Sequence, residues 1–397
     1  MSKLEKLLAE LCPDGVPKLS IADICNISRG RVMSKDYIKE NAGDYPVYSS
    51  QTENEGKLGL INSFDYDGEY LTWTTDGANA GTVFYRMGKF SITNVCGLLK
   101  VTDEHVLTKY LYYTLNVEAP SYVNSGMGNP KLMSNVMGRI KVAIPPLLVQ
   151  SEIVRILDNF TELTAELTAE LTARRKQYEY YRDCLLKNSQ NQNKVPLKTV
   201  VKKSCSGGTP KKNKSEFYSN GTIPWLRTQD VKFNEIYEVD SFITEEAVKK
   251  TSAKWIPANC VIIAISGATA GRCAINKIPI TTNQHCYNME IDESKALYKY
   301  VYYCVCSQYE ELISKKQGAR GDLNSTLIMG IEIPIPYAEE TDKSLMEQQR
   351  IVDILDRFDT LCNDISKGLP AEINERQKQY EYYRNKLLTF KNINAEV

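Results

Sequence analysis

The chain is written twice, and no other feature narrows its fold so far. QSEIVRILDNFTEL (Gln150 to Leu163) returns as QQRIVDILDRFDTL (Gln348 to Leu361), and KQYEYYR at Lys176 to Arg182 returns unchanged at Lys378 to Arg384. Two long matches in one order mark a duplication, and a duplication fixes architecture before local propensity does. Fainter echoes precede them. VPKL at Val16 answers VPLK at Val195, DGANAG (Asp76 to Gly81) answers SGATAG (Ser266 to Gly271), ITN at Ile92 answers TTN at Thr281, and KYLYY at Lys109 answers KYVYY at Lys299. The order is domain, helix, domain, helix, with expected segments 1–146, 147–190, 191–338 and 339–397.

The parts before the helices read as short β-rich runs broken by Gly, Pro, Asn and Asp, with KYLYYTL and KYVYYCV as short packed helices, so each is expected to be a mixed α+β globule. The helical parts differ. Ile156, Phe160, Leu163, Leu167, Leu171, Tyr178, Tyr181 and Leu185 keep steps of three, four or seven, which is an apolar helical stripe. Its twin runs Ile354, Phe358, Leu361, Ile365, Ile373, Tyr380, Tyr383 and Leu387. The first stripe carries the word Thr-Ala-Glu-Leu at Thr164 to Leu167 and again at Thr168 to Leu171. A four-residue word does not match a turn of about 3.6 residues, so it acts as a stutter that changes length while the seam survives. Leu163 to Lys176 is 13 positions and Leu361 to Lys378 is 17, a difference of four. The second copy spends its surplus around Lys367-Gly368-Leu369-Pro370, which is expected to break that helix.

At 397 residues the chain exceeds one ordinary core. It shows neither an apolar signal core at MSKLEKLLAE nor a run approaching the ~20 residues that span a bilayer, so a cytoplasmic protein is expected. Eleven cysteines without a C-x-x-C pair read as reduced core thiols, including Cys304 and Cys306. Net charge is zero, which argues against coating nucleic acid by charge alone. Yet no acid falls from Cys184 to Ser215, where Lys187, Lys194, Lys198, Lys202, Lys203, Lys211, Lys212 and Lys214 gather. A solvated linker and a phosphate-facing surface both fit that run. No enzyme site emerges. Asn129-Pro130-Lys131-Leu132 lacks the second proline and the ring of an adenine methyltransferase motif, no phosphate-binding G-x-x-x-x-G-K-S/T occurs, and His105 and His285 stand apart from any nucleophile pattern.

With both helices located, the chain resembles the DNA-specificity subunit of type I restriction–modification systems. The resemblance rests on the paired KQYEYYR helices, the TAEL run, and GGTP (Gly207 to Pro210) followed by IPWLRTQD (Ile223 to Asp230), in that family's order. It implies two similar target-recognition domains separated by two long antiparallel helices that form a coiled coil, in a pseudo-twofold, circular arrangement. It also implies a non-catalytic subunit that binds a bipartite, asymmetric site on double-stranded DNA. Two methyltransferase subunits using S-adenosylmethionine would dock on it, and two translocase and endonuclease subunits using ATP and Mg2+ would join them. No cofactor, metal or membrane is expected for this subunit. The other reading is a duplicated protein-interaction scaffold that joins partners through its coiled coil without reading DNA.

Phosphate contacts need Lys, Arg or backbone amides, and base reading needs Arg, Asn, Gln or Ser on exposed loops. The first domain offers Arg29, Arg31 and Lys35 in RGRVMSK, then Ser50 with Gln51, then Asn129 with Lys131. The second offers Lys211, Lys212 and Lys214 in GGTPKKNK, then Arg227 with Gln229, then Lys315, Lys316 and Arg320 in KKQGARG. Each competes with the plain reading of a solvated loop residue. Asn94 and Asn283 are expected to hold turns, and Trp73, Trp225 and Trp255 to lie in cores. Phe160, Leu163, Leu167, Leu171, Tyr178, Tyr181, Phe358, Leu361, Tyr380 and Tyr383 are expected to pack helix on helix or against a partner.

Overall fold

The computed structural model describes residues 2–126, 128–187, 192–315, 322–363 and 368–391. It forms two compact units, Met1–Thr168 with Glu372–Val397, and Ala169–Ala371. Each unit therefore combines one globular part with a share of both helical arms. Lys316, Arg320 and Ile365 lie outside the described residues.

The first unit is built on one six-stranded sheet, in spatial order Cys25–Arg29, Cys96–Val101, Tyr66–Thr74, Val83–Ile92, Ala42–Tyr48 and Lys57–Ile61. Neighbours run antiparallel except Val83–Ile92 with Ala42–Tyr48, which are parallel. Trp73 faces Gly97 across two of these strands. A Cβ on Gly97 would lie 2.3 Å from the indole, so only glycine leaves room for the ring. Trp73 Nε1 donates to the Leu132 carbonyl at 2.9 Å, which satisfies its buried polar atom.

The second unit repeats this plan but divides the sheet. Five strands run in the order Val201–Ser206, Cys286–Ile291, Val261–Ala264, Cys273–Asn276 and Asn234–Ile236. Four more run Phe242–Ile243, Ile223–Leu226, Ile280–Thr282 and Trp255–Ile256. The parallel pair of the first unit recurs as Ile223–Leu226 with Ile280–Thr282. The long strand Val83–Ile92 thus corresponds to two short ones, Cys273–Asn276 and Ile280–Thr282. Pro279 falls between them and has no amide to continue a ladder. Trp73 and Trp225 are buried, as expected, but Trp255 is 48% exposed. Its two-residue strand lies at the edge of the smaller sheet.

The repeated letters form one lock made twice. In the first unit the side chain of Gln150 accepts from Leu107 N at 2.9 Å, at the start of the helix Thr108–Glu118. Gln348 does the same for Leu297 N at 2.9 Å, at the start of Tyr298–Ser307. Asp158 accepts from Lys109 Nζ at 2.7 Å and from the Tyr113 hydroxyl at 2.6 Å. Asp356 accepts from Lys299 and Tyr303 at the same distances, 2.7 and 2.6 Å. Tyr110 and Tyr300 each donate to a backbone carbonyl, of Ala143 and Pro334, at 2.9 Å. KYLYY and the Q-x-x-I-V-x-I-L-D stretch are therefore two halves of one interaction. Ile153 and Leu157 in one copy, and Ile351 and Leu355 in the other, fill the core behind it.

The first arm is one helix, Leu147–Lys187, unbroken by its four-residue words, with Leu163, Leu167 and Leu171 half-buried along one stripe. The second comprises Thr341–Asn363 and Gly368–Leu387. Gly368 has φ +73°, and a Cβ there would lie 2.6 Å from the Leu361 carbonyl oxygen. In an unbroken helix that place belongs to a residue three or four positions after Leu361, so Gly368 does not continue the helix that ends at Asn363. Pro370 falls in the first turn of its helix, where a missing amide costs nothing.

The arms pair within each unit. In the first, Phe160 stacks on Tyr383 with centroids 5.6 Å apart, and Leu157, Tyr380 and Leu388 join one core cluster. In the second, Tyr181 stacks on Phe358 at 5.9 Å, and Arg175 donates to the Cys362 carbonyl at 3.5 Å. Ascending numbers on one helix meet descending numbers on the other, which is antiparallel pairing. Tyr178 and Tyr380 reach into the two cores, whereas Leu361 stays exposed at the seam's edge.

Candidate nucleic-acid interface

Backbone hydrogen bonds set one end of each sheet in register with the other. Thr93 N donates to the Tyr48 carbonyl at 2.9 Å, and Asn283 N to that of Leu226 at 2.9 Å. Cys96 N donates to the Thr93 carbonyl at 3.0 Å, and Cys286 N to that of Asn283 at 3.1 Å. Thr93 therefore matches Asn283, and pairing ITN with TTN letter by letter is one residue out. Asn283 does hold its turn, accepting from His285 N at 3.1 Å, while Asn94 is an exposed side chain.

The glycine-rich words build the same loop in both units. Gly81 N donates to Thr74 O at 2.9 Å and Gly271 N to Ala264 O at 2.8 Å. All four glycines of these words, Gly77, Gly81, Gly267 and Gly271, have φ between +72° and +99°, the left-handed region in which a side chain is strained. The residue after Thr74 or Ala264 then receives a third segment: Leu132 N donates to Thr75 O at 2.9 Å, and Leu323 N to Ile265 O at 2.8 Å. Gly30 and Gly207 press against the carbonyls of Ile92 and Thr282, where a Cβ would come within 2.0 and 2.1 Å of the oxygen. Three segments thus converge on each sheet end.

Counting from these anchors aligns the candidate residues of the two units. Ser49-Ser50-Gln51 matches Arg227-Thr228-Gln229, and the loop Gly30 to Lys35 matches Gly207 to Lys212. Glycine spacing and the short words carried this signal, but the one-residue shift was invisible without hydrogen bonds.

The candidates differ in how free they are. Arg29 donates to Ser134 Oγ at 3.2 Å and contacts Met133 Sδ at 3.4 Å. Arg31 pairs with Asp65 at 3.1 Å and donates to the Tyr37 hydroxyl at 3.2 Å; Tyr37 and then Asp65 push its pKa up and hold it charged. Ser50 Oγ donates to the Val95 carbonyl and accepts from Thr75 N at 2.9 Å, so its hydroxyl already ties the rim together. Gln51 donates to the Lys57 carbonyl at 2.7 Å, and Lys131 lies 3.6 Å from Asp76. Lys35 and Asn129 are exposed. In the second unit Lys214 pairs with Glu216 at 3.2 Å and Lys315 with Glu311 at 2.5 Å. Lys211, Lys212 and Gln229 are exposed, and half-buried Arg227 has its Nε enclosed without an acceptor.

Among the described residues no group of three His, Cys, Asp or Glu could hold a metal ion, and no helix is long and apolar enough to cross a membrane. Burial pushes the thiols of Cys25, Cys96, Cys260 and Cys286 up to about 12, so these are core thiols rather than nucleophiles.

Two α+β units that repeat one internal lock, share two helical arms and carry matched rims with unmatched side chains define a duplicated specificity scaffold. The chain belongs to the family of the type I restriction modification DNA specificity domain, whose family model matches residues 13–174 and 190–375. The specificity subunit of the Escherichia coli restriction enzyme EcoR124I/EcoR124II is 43% identical over 303 residues, 72% of each chain. A candidate type I specificity subunit of Mycoplasma pneumoniae is 33% identical over 378 residues, 92% of this chain and 96% of its own. Among solved structures, the S subunit of a type I restriction–modification system from M. genitalium has a TM-score of 0.55 at 15% identity, covering 94% of this chain and 96% of that one. A chain from a study of assembly and conformational transition of the type I system reaches 0.63 at 13% identity, over 95% and 98%. Those two likenesses concern the fold. The chain is a type I restriction–modification specificity subunit.

Proposed function

We propose that each unit grips one half of a bipartite, asymmetric site on double-stranded DNA, and that the arms set the unspecified spacer between the halves. The observation that carries this reading is the matched frame beneath the two rims: the same backbone bonds anchor Tyr48 and Leu226, the strand ends that Ser49-Ser50-Gln51 follow in one unit and Arg227-Thr228-Gln229 in the other. One frame with two side-chain sets is what reading two unequal half-sites requires. A scaffold that only joined protein partners would have no use for that inequality. Catalysis falls to partners: two methyltransferase subunits with S-adenosylmethionine, and two translocase and endonuclease subunits with ATP and Mg2+, in the cytoplasm. Tyr180 and Tyr382, 66% and 62% exposed in the two copies of KQYEYYR, give those partners a repeated aromatic surface.

The test is a complex with the methyltransferase subunit. Mapping methylated adenines across the genome defines the site, and the complex should then retain a duplex carrying it over a scrambled duplex at ~0.15 M salt. Equal retention would return the protein to the scaffold reading. Deleting Thr168 to Leu171 removes about 6 Å of helix at 1.5 Å per residue. The mapped spacer should shorten by roughly one base pair at ~3.4 Å each, with both half-sites unchanged.

A further inference from the structure

We propose that Arg227 anchors a DNA phosphate and does not read a base. The inference rests on the DNA-reading function above and names the role of one residue within it.

Three observations lead here. Arg227 is half-buried, yet among the described residues its guanidinium has no hydrogen-bond acceptor and no carboxylate within ion-pairing distance. The neighbouring acid is otherwise employed: Asp230 Oδ2 accepts from the backbone N of Arg227 itself at 3.0 Å. The other rim arginines are not in this state, since Arg29 is bonded to Ser134 and Arg31 is paired with Asp65. A partly desolvated cation without a counter-ion is costly, and the cost is removed when an anion arrives. Arg227 follows the strand Ile223–Leu226, which pairs with Ile280–Thr282, and the loop that begins at Gly207 against Thr282 goes on to carry exposed Lys211 and Lys212. Gly208 of that loop donates to the Thr282 carbonyl at 2.8 Å and accepts from Trp225 Nε1 at 3.0 Å. These ties fix the start of that loop against the strand that Arg227 follows.

Reach decides between phosphate and base. Base edges lie at the floor of a major groove roughly 8.5 Å deep, so a reading arginine must project its whole fork. Enclosure of Nε holds the stem of Arg227 against the protein and so shortens the reach of its guanidinium. A backbone phosphate brought against the rim meets that requirement.

The experiment uses the methyltransferase complex with Arg227→Gln and Arg227→Lys, titrated with cognate and scrambled duplexes over a salt series. Arg227→Gln should weaken both duplexes by the same factor, about tenfold or more at ~0.15 M salt. It should also make the logarithmic salt dependence shallower by about 0.9, the signature of one phosphate contact. Arg227→Lys should restore the salt slope, because it restores the charge. The methylated-adenine motif should be unchanged in both. Loss confined to the cognate duplex, with one motif position relaxed, would make Arg227 a base reader and overturn the proposal. So would unchanged affinity and slope in a normally melting Gln variant. If that variant melts early, the Lys variant decides: a slope that stays shallow sinks the proposal. Failure of the wild-type complex to prefer its site would instead remove the functional reading beneath it.

Discussion

Trp73 and Trp255 stand at opposite extremes of one duplicated plan. The first is fully buried against Gly97 with its N–H bonded, while the second lies half exposed on a two-residue edge strand. The contrast extends across the units. Where they share letters, Gln150 and Gln348 accept from the same helix-start amide, and Asp158 and Asp356 from the same lysine, to within 0.1 Å. Where the letters differ, the backbone frame persists and the exposed chemistry changes. Duplication thus preserved what holds a unit together and released what it presents to other molecules.

That comparison can be broken in several ways. The largest expected effect is Trp73→Ala, which opens a cavity and should cost about 3–5 kcal/mol, whereas Trp255→Ala should stay within about 0.5 kcal/mol. Urea midpoints of the two variants test this, and equal losses would refute the assigned difference. Next comes the lock. Asp158→Ala strands Lys109 and Tyr113 and should cost about 1–3 kcal/mol. Asp356→Ala should cost less, because Lys299 keeps Glu235 at 3.0 Å as a second acid. Reversal of that order in thermal melts would mean that the locks are not equivalent.

The aromatic stacks should be matched. A double-mutant cycle on Phe160 with Tyr383, and another on Tyr181 with Phe358, should each yield a coupling of about 1 kcal/mol. A coupling in one unit alone would end the symmetry of the arms.

A pH-dependent difference concerns Glu152, which belongs to the first unit only, since Arg350 stands at the matching place in the second. Arg155 and then Lys3 hold its carboxyl down to about 2 from an ordinary 4.5. A carboxyl lowered by folding stabilises above its unfolded pKa, and that contribution fades as pH falls from 4.5 toward about 2. Hydrogen exchange should show the first unit opening more readily across that window. Glu152→Gln should abolish the pH dependence, and an identical profile in the variant would rule out this origin.

Much of this was legible beforehand. The duplication, the two α+β parts, the helical stripes and the interruption near Gly368 follow from repeated words, periodicity and proline chemistry. Other features were not. The alignment of ITN with TTN slipped by one because a three-letter match cannot sense which carbonyl accepts from which amide. An indole is usually buried, yet Trp255 sits on an edge strand and stays 48% exposed. Ser50 looked like a free reader until its hydroxyl was found between Val95 and Thr75.

By itself the sequence determined the repeat, the helix faces and the types of residue available to touch DNA, because each depends on local periodicity and side-chain chemistry. Only the tertiary structure decided which of those residues remain unspent. Whether Arg31 meets Asp65, 34 positions away, or Arg227 Nε finds no acceptor among the described residues depends on long-range proximity, which is a property of the packed core.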